Sequence, residues 1–289
     1  MDVVDALYRL GGVASHRALT EATSRWHVRA AVEAGRIQRL GRDSYALPGR
    51  DAHADHAHRL RGVLSHLSGA MHRGWPVWEP PRRATVTVPR TRKVDPRRRR
   101  GCQVIWQDVV QDGVSTTALQ TVLDCAARLP FHEALAVADA ALRLREVSAA
   151  ELLDAASRAG RRWRSRTLHV ARHASALADN PFESVVRAHT IEVPGVDLAP
   201  QVFIPGYGRA DLVDLRRALV VECDSFAFHS SRAALLNDIE RYNRAAGLGL
   251  TLVRFGYEHA HQPDYIRSTL RSAVMPPPQR HALTRCEAA

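Results

Sequence analysis

Apolar positions recur at helical spacing through residues 2–10 and stop at the Gly11-Gly12 pair, which predicts a first helix. Ser15 is placed to cap a short second helix through Leu19, and Ser24 a third helix from Arg25 to Ala34, ended by Gly35. Residues 37–40 and 44–47 alternate like strands around the turn Gly41-Arg42-Asp43. Later, residues 84–88 read as a strand. Residues 115–128 and 131–144 read as two helices joined at Pro130, and Ser148 with Glu151 as a capping box for a third through Ala159. A helical stretch from Leu168 to Leu177 leads to Asn180 and Pro181, a cap and a first-turn proline for the next helix. Two apolar runs, 211–215 and 218–221, flank the basic turn Arg216-Arg217 and predict a hairpin. A helix with Asn237, Asp238 and Arg241 and a strand at residues 250–255 follow.

Three helices and a hairpin within the first 48 or so residues form the pattern of a winged helix-turn-helix. Its third helix enters the major groove and its hairpin touches the backbone, so Arg25, His27, Arg29, Arg36, Arg39 and Arg42 are the expected nucleic-acid contacts. Trp26, on the same helix, is expected in the core. With 289 residues there is room for two or three domains, and the alternation of elements indicates an α/β class.

Composition sharpens the expected partner. The formal net charge is +11, carried mostly by arginine, with an isoelectric point near 10.4. Arginine pairs bidentately with phosphate, which points to a polyanion such as DNA. Arg82 to Arg100 carries nine Lys and Arg against the single acid Asp95, so Arg97, Arg98, Arg99 and Arg100 are candidate phosphate contacts, in an arm or a solvated loop. The four cysteines stand alone, with no metal-finger spacing, as suits a reducing compartment. No apolar run approaches the ~20 residues that span a bilayer and no signal-like segment opens the chain, so a cytoplasmic protein is expected. No nucleotide-cofactor loop is present. His53, His56, His58, His66 and His72 lack acidic or cysteine partners at ligand spacing and read as helix-packing or solvated residues.

The chemistry-bearing residues lie near the C-terminus. Glu222 and Asp224 project from one face of a strand apolar enough to be buried, and Asp211 opens the strand before it. Carboxylates so placed repel one another, and a divalent cation is the simplest neutraliser. Asp214 falls on the opposite face by alternation.

Asn180-Pro-Phe-Glu183-Ser, Gln201, Ala210-Asp211, Val221-Glu222-x-Asp224, His229, Asp238-x-x-Arg241 and Val253-Arg254-Phe255 together resemble the very-short-patch-repair-endonuclease-like branch of the PD-(D/E)XK nucleases, over residues 178–275. The resemblance implies a mixed sheet flanked by helices and Mg²⁺-dependent (or Mn²⁺-dependent) hydrolysis of a DNA phosphodiester. Asp211 and Glu222, with the main-chain carbonyl of Cys223, would hold the ion, and Glu183 would orient a water. His229 would serve as acid or base, and Arg241 would stabilise phosphate charge. Asp238 would support Arg241 or His229, and Asp224, standing where the motif has lysine, would join the metal shell or orient His229. Residues 1–50 and the Trp75-Pro-Val-Trp78 region resemble AbiEi-type antitoxins, transcriptional repressors of toxin-antitoxin systems, which implies a non-catalytic DNA-binding alternative with a cognate toxin as partner. An RNA nuclease fits the same charge. The expected organisation is a winged helix at 1–50, an α+β connecting domain at 51–165, a restriction-endonuclease-like domain at 166–278 and a disordered tail at 279–289.

Overall fold

A computed structural model describes residues 2–9, 13–39, 44–47, 50–224 and 232–274. The expected tail, with Arg42 and His229, lies outside the described residues.

The N-terminal unit comprises α1 (Val3–Arg9), β1 (Val13–Ser15), α2 (His16–Ala22), α3 (Arg25–Glu33), β2 (Gln38–Arg39) and β3 (Ser44–Ala46). Leu7, Leu19, Val28, Ala31, Ile37 and Tyr45 close its core. Ser24 caps α3 as expected, its Oγ accepting from His27 N at 3.2 Å. Gly35, at φ +66°, ends the helix where a left-handed turn is needed. Residues 13–15 form a strand that pairs antiparallel with β3, in the sheet order β1-β3-β2, and α2 starts directly after Ser15. Three residues are too few to declare a strand by their own periodicity; pairing with β3 creates it.

The middle region builds a mixed five-stranded sheet. Its elements are α4 (Arg50–Leu60), β4 (Val63–Leu64), α5 (His66–His72), β5 (Ala84–Val88), β6 (Cys102–Trp106), β7 (Gln111–Asp112) and β8 (Ser115–Thr116), in strand order β6-β5-β4-β8-β7. Then come α6 (Ala118–Arg128), α7 (Phe131–Arg143), α8 (Ala149–Ser157) and α9 (Arg161–His173), packed around Val122, Val137, Leu152 and Val170. The helix expected from residue 115 begins at Ala118, because Ser115 and Thr116 join the sheet and Thr117 supplies the cap. The Ser148/Glu151 capping box forms in both directions. The helix expected at 168–177 is α9, which runs unbroken across residues 165 and 166.

Last come α10 (Pro181–Thr190), β9 (Ala199–Ile204), β10 (Gly208–Asp214), β11 (Leu219–Asp224), α11 (Arg232–Gly247), β12 (Thr251–Gly256) and α12 (Pro263–Val274). The sheet order is β12-β11-β10-β9, with β11 and β12 parallel through the α11 crossover and the other pairs antiparallel. Phe182, Val186, Leu212, Val221, Ile266 and Leu270 pack α10 and α12 on one face, while Val213, Val220 and Ala245 pack α11 on the other. The hairpin turns through Ala218 at φ +50°, and Asp214 caps it by accepting from Arg216 N and Arg217 N. Asp214 is thus structural, as its face requires. Helices and mixed sheets together make this an α/β chain, as the alternation of elements predicts.

The helical middle is locked to this sheet by a buried ion pair. Arg187 Nη2 on α10 reaches Asp139 Oδ2 on α7 at 2.8 Å, and Ser175 N and Ser184 Oγ donate to the same carboxylate. A buried charge is tolerable only with such partners, and of the guanidinium nitrogens Nε alone lacks one. Among the described residues no helix is long and apolar enough to cross a membrane.

Candidate active site

Asn180 and Pro181 start α10 as expected, and the start fixes Glu183 in its first turn. Asn180 Oδ1 accepts from Glu183 N at 3.0 Å, and Asn180 Nδ2 donates to Glu183 Oε1 at 2.7 Å. Oε2 accepts from Asp179 N at 3.0 Å and from Gln201 Nε2 at 2.8 Å. The side chain is buried on the sheet side of the helix.

Gln201 is the joint of the site. It sits on β9 at φ +56°, a left-handed conformation that a non-glycine residue adopts at a cost of roughly 1–3 kcal/mol. Its regular pairing with β10 is interrupted there, between the pairs Ala210↔Val202 and Leu212↔Pro200. The same Nε2 that reaches Glu183 also donates to Asp211 Oδ1 at 3.3 Å. One strained amide therefore ties a helix carboxylate to a strand carboxylate.

Asp211 and Glu222 face each other across the hairpin, since continuing the register Leu212↔Val221 sets them opposite. Asp211 Oδ2 accepts from Cys223 N at 2.8 Å, and its carboxyl is within hydrogen-bond reach of Glu222. Glu222 Oε1 accepts from Tyr207 Oη at 2.7 Å and Arg241 Nη2 at 2.5 Å. Arg241 also donates from Nε to Tyr207 Oη at 3.0 Å and from Nη2 to Arg209 O at 2.6 Å, and lies 4.7 Å from the centre of the Tyr207 ring. A cavity of about 50 Å³ is lined by Glu222, Tyr207 and Arg241 together with Asp224 and Arg254, room for one or two waters or a small ion.

The electrostatics follow from this crowding. Burial, then the neighbouring Asp211 charge, pushes the Glu183 carboxyl up to about 8 and that of Glu222 up to about 7. Asp211 is also raised, by burial first, against the pull of the Cys223 N–H. Among the described residues three carboxylates face one guanidinium, so two negative charges lack a counter-charge there. Without a cation the site holds protons instead.

The expected site residues separate into groups. Glu183, Asp211, Glu222 and Arg241 come together. Arg241, expected to stabilise phosphate charge, is instead used by Glu222, Tyr207 and the Arg209 carbonyl, so it positions Glu222. Asp224 departs from expectation: Arg254 grips it through Nη2 to Oδ1 at 2.6 Å and Nε to Oδ2, and Tyr242 Oη accepts from Arg254 Nη1 at 2.8 Å. The Glu222↔Arg254 register of the parallel pair brings that cation alongside, 30 residues away in sequence. Asp238 lies in α11, and its side chain is outside the described residues, as is all of His229. Cys223 contributes its main-chain N–H to Asp211. Among the described residues no group of three or more His, Cys, Asp or Glu side chains is arranged to hold one metal ion, so the donors on offer are the Asp211/Glu222 pair. Tyr207, and the grip of Arg254 on Asp224, lie outside the sequence expectation. A tyrosine in the Pro-Gly-Tyr-Gly tip of a hairpin that ends at an acid is the available signal for Tyr207.

On α3, Arg25, His27 and Arg29 are exposed, with Arg29 paired to Glu33 at 2.9 Å and His27 Nδ1 2.8 Å from Ser24 Oγ. Arg36 pairs with Asp2 at 2.9 Å, and Arg39 is exposed on β2. Trp26 corrects its expectation, being 72% exposed. The basic stretch is a pinned crossover between β5 and β6. Arg99 Nη2 donates to Val94 O at 2.8 Å and stacks on Trp106, whose indole N–H donates to Arg92 O, and Arg59 holds Arg100 O. Arg97, Arg98 and Arg100 remain exposed.

No family model matches the chain, and no curated protein matches it. Among solved structures, the RV2827C protein from Mycobacterium tuberculosis aligns at 15% identity over 71% of this chain and 88% of that one, with a TM-score of 0.31, a likeness too small to carry an argument.

Proposed function

We propose that the chain is a divalent-cation-dependent DNA endonuclease of the restriction-endonuclease-like type, targeted by an N-terminal winged helix. One observation carries the proposal: Glu183, Asp211 and Glu222 are gathered by Gln201 and the hairpin register into a buried group with a single cationic partner. Folding such a group is unfavourable unless a ligand relieves it. Hard oxygen donors with two surplus charges suit Mg²⁺ or Mn²⁺. Asp211 and Glu222 would hold the ion, and when bound it supplies neutralisation of the charge that grows on the phosphoryl oxygens. Tyr207 and Arg241 keep Glu222 in its rotamer, and Gln201 keeps Glu183 beside Asp211, positioned to take a proton from the attacking water. A winged helix is supported by three helices over a three-stranded antiparallel sheet, with an outward row of Arg25, Trp26 and Arg29 on α3.

A second reading is an antitoxin-like regulator that binds DNA without cutting it. The Asp224–Arg254 pair at the motif's lysine position favours it, because an acid already neutralised by an arginine stands where the motif has a free cation. Incubation with supercoiled plasmid in Mg²⁺, Mn²⁺ or EDTA, beside Asp211→Ala and Glu222→Ala, decides. Cleavage that needs the metal and falls at least a hundredfold in both variants is expected. Tight, salt-sensitive binding with no cleavage, unchanged in the variants, would establish the regulator.

A further inference from the structure

The helical middle holds a cavity that takes no part in the carboxylate site. Its volume is about 290 Å³, between α6, α8 and α9, just below the ~300–1,000 Å³ typical of small-ligand sites. Its lining includes both an acid, Asp124, and the start of a helix at Gly160.

Asp124 is 4% exposed; its Oδ1 accepts from Gln120 Nε2 at 2.9 Å and from Gln107 Nε2 at a long 3.4 Å, and its Oδ2 is buried with no hydrogen-bond partner. Burial pushes this carboxyl up to about 6, which leaves it ionised at neutral pH. A buried carboxylate oxygen without a donor is costly, and the long Gln107 bond is the one a better donor would replace.

Gly160 opens the 13-residue α9 with no side chain capping it, so the positive end of that helix is left for an anion. Arg158, paired with Asp154, and Arg128 also line the cavity, Arg128 near enough to Asp124 to pull its carboxyl down and 5.3 Å from the centre of the Trp163 ring.

We propose that this cavity binds a guanine mononucleotide unit, with N1–H and the N2 amino group donating to the two Asp124 oxygens and the phosphate at Gly160. Guanine is the nucleobase with two adjacent donors on one edge, matching a carboxylate; adenine and cytosine place an acceptor beside the donor, which Asp124 repels. Gln107, once released, can donate to O6. The guanine can come from a free nucleotide or from a base extruded from a strand. Nothing in this assignment rests on the nuclease proposal.

The test is calorimetric titration of the full-length protein with GMP, AMP and inorganic phosphate. Single-stranded oligonucleotides with and without guanine are titrated alongside by fluorescence anisotropy, all in EDTA. GMP is expected to bind at least tenfold tighter than AMP or phosphate, and Asp124→Asn to remove that preference. Ala159→Phe, which fills the cavity and leaves Asp124 in place, should lose GMP with an unchanged circular dichroism spectrum. If GMP is not bound but the guanine-containing oligonucleotide is preferred and Asp124→Asn abolishes that preference, the ligand is the extruded base. No guanine preference in either arm, or a preference that survives both variants, overturns the proposal. Asp211→Asn should bind GMP like the parent, which keeps this outcome separate from that of the cleavage assay.

Discussion

Raising the pH of the metal-free protein from about 6.5 to 8 should destabilise it, and a divalent cation should abolish the effect. Glu183 and Glu222 have folded pKa values of about 8 and about 7, above the ordinary carboxylate value, so the folded state binds more protons than the unfolded chain in this window. Stability therefore falls as pH rises through the folded values. Buried His66 and His189 are lowered to about 4 and act with the opposite sign, offsetting part of this loss while the unfolded chain's histidines still give up protons above the ordinary value near 6.5.

Integrating both carboxylates across the window gives a loss of about 2 kcal/mol. At roughly 2–4 °C per kcal/mol for a chain of this size, Tm in EDTA should fall by roughly 4–8 °C. Asp211→Asn removes the charge that helps raise both groups while keeping one acceptor oxygen, which can serve Cys223 N, so its Tm should fall less over the same window. Differential scanning calorimetry in EDTA and in Mg²⁺ measures all of this. A parent Tm that stays flat in EDTA, or a fall that Mg²⁺ leaves unchanged, would refute the view that uncompensated carboxylates dominate the site.

Trp26→Ala should weaken duplex binding by about 1–2 kcal/mol without changing the slope of log K against log salt, because the indole carries no charge, whereas Arg25→Ala should lower that slope by about 1. Anisotropy at several salt concentrations separates them, and an unchanged affinity for Trp26→Ala removes the residue from the interface. Asp139→Ala strands the buried Arg187 guanidinium and should cost about 3–5 kcal/mol in urea denaturation; a loss below about 1 kcal/mol would mean that the pair is not the lock between α7 and α10. Gln201→Gly relieves the left-handed backbone and deletes the amide, so it should cut plasmid cleavage at least tenfold with no loss of Tm. Retained cleavage would show that the amide is dispensable.

What was legible in the sequence was local. The caps at Ser24, Ser148 and Asn180 each join residues three apart, and the hairpin around Arg216-Arg217 is set by alternation on both sides of one turn. Trp26 was also legible in principle: at about 100° per residue it stands roughly 200° from Val28, which faces the core, and helical phase outweighs the apolar character of the ring. The rest needed partners distant in the chain. The fate of Asp224 is decided by Arg254 across a parallel pair, and the strand at residues 13–15 by β3. Gln201 acts through a backbone twist that no local propensity announces, and its amide matters only because β9 lies between α10 and β10.

The distribution of charge separates the two functional readings more sharply than its total. A chain of net charge +11 attracts a polyanion wherever its arginines are exposed, and a regulator needs no more than that. Yet α10 and the C-terminal sheet gather buried Glu183 and Glu222 and half-buried Asp211 beside a single arginine among the described residues, an arrangement that repels phosphate as well as lowering stability. A protein that only binds DNA gains nothing from keeping it. A divalent cation reverses both penalties at once, by displacing the protons that the carboxylates hold and by giving an approaching phosphate a positive charge to meet. The metal dependence of stability and the metal dependence of cleavage should therefore be lost together in Asp211→Asn, whereas a relic site would show neither in the parent.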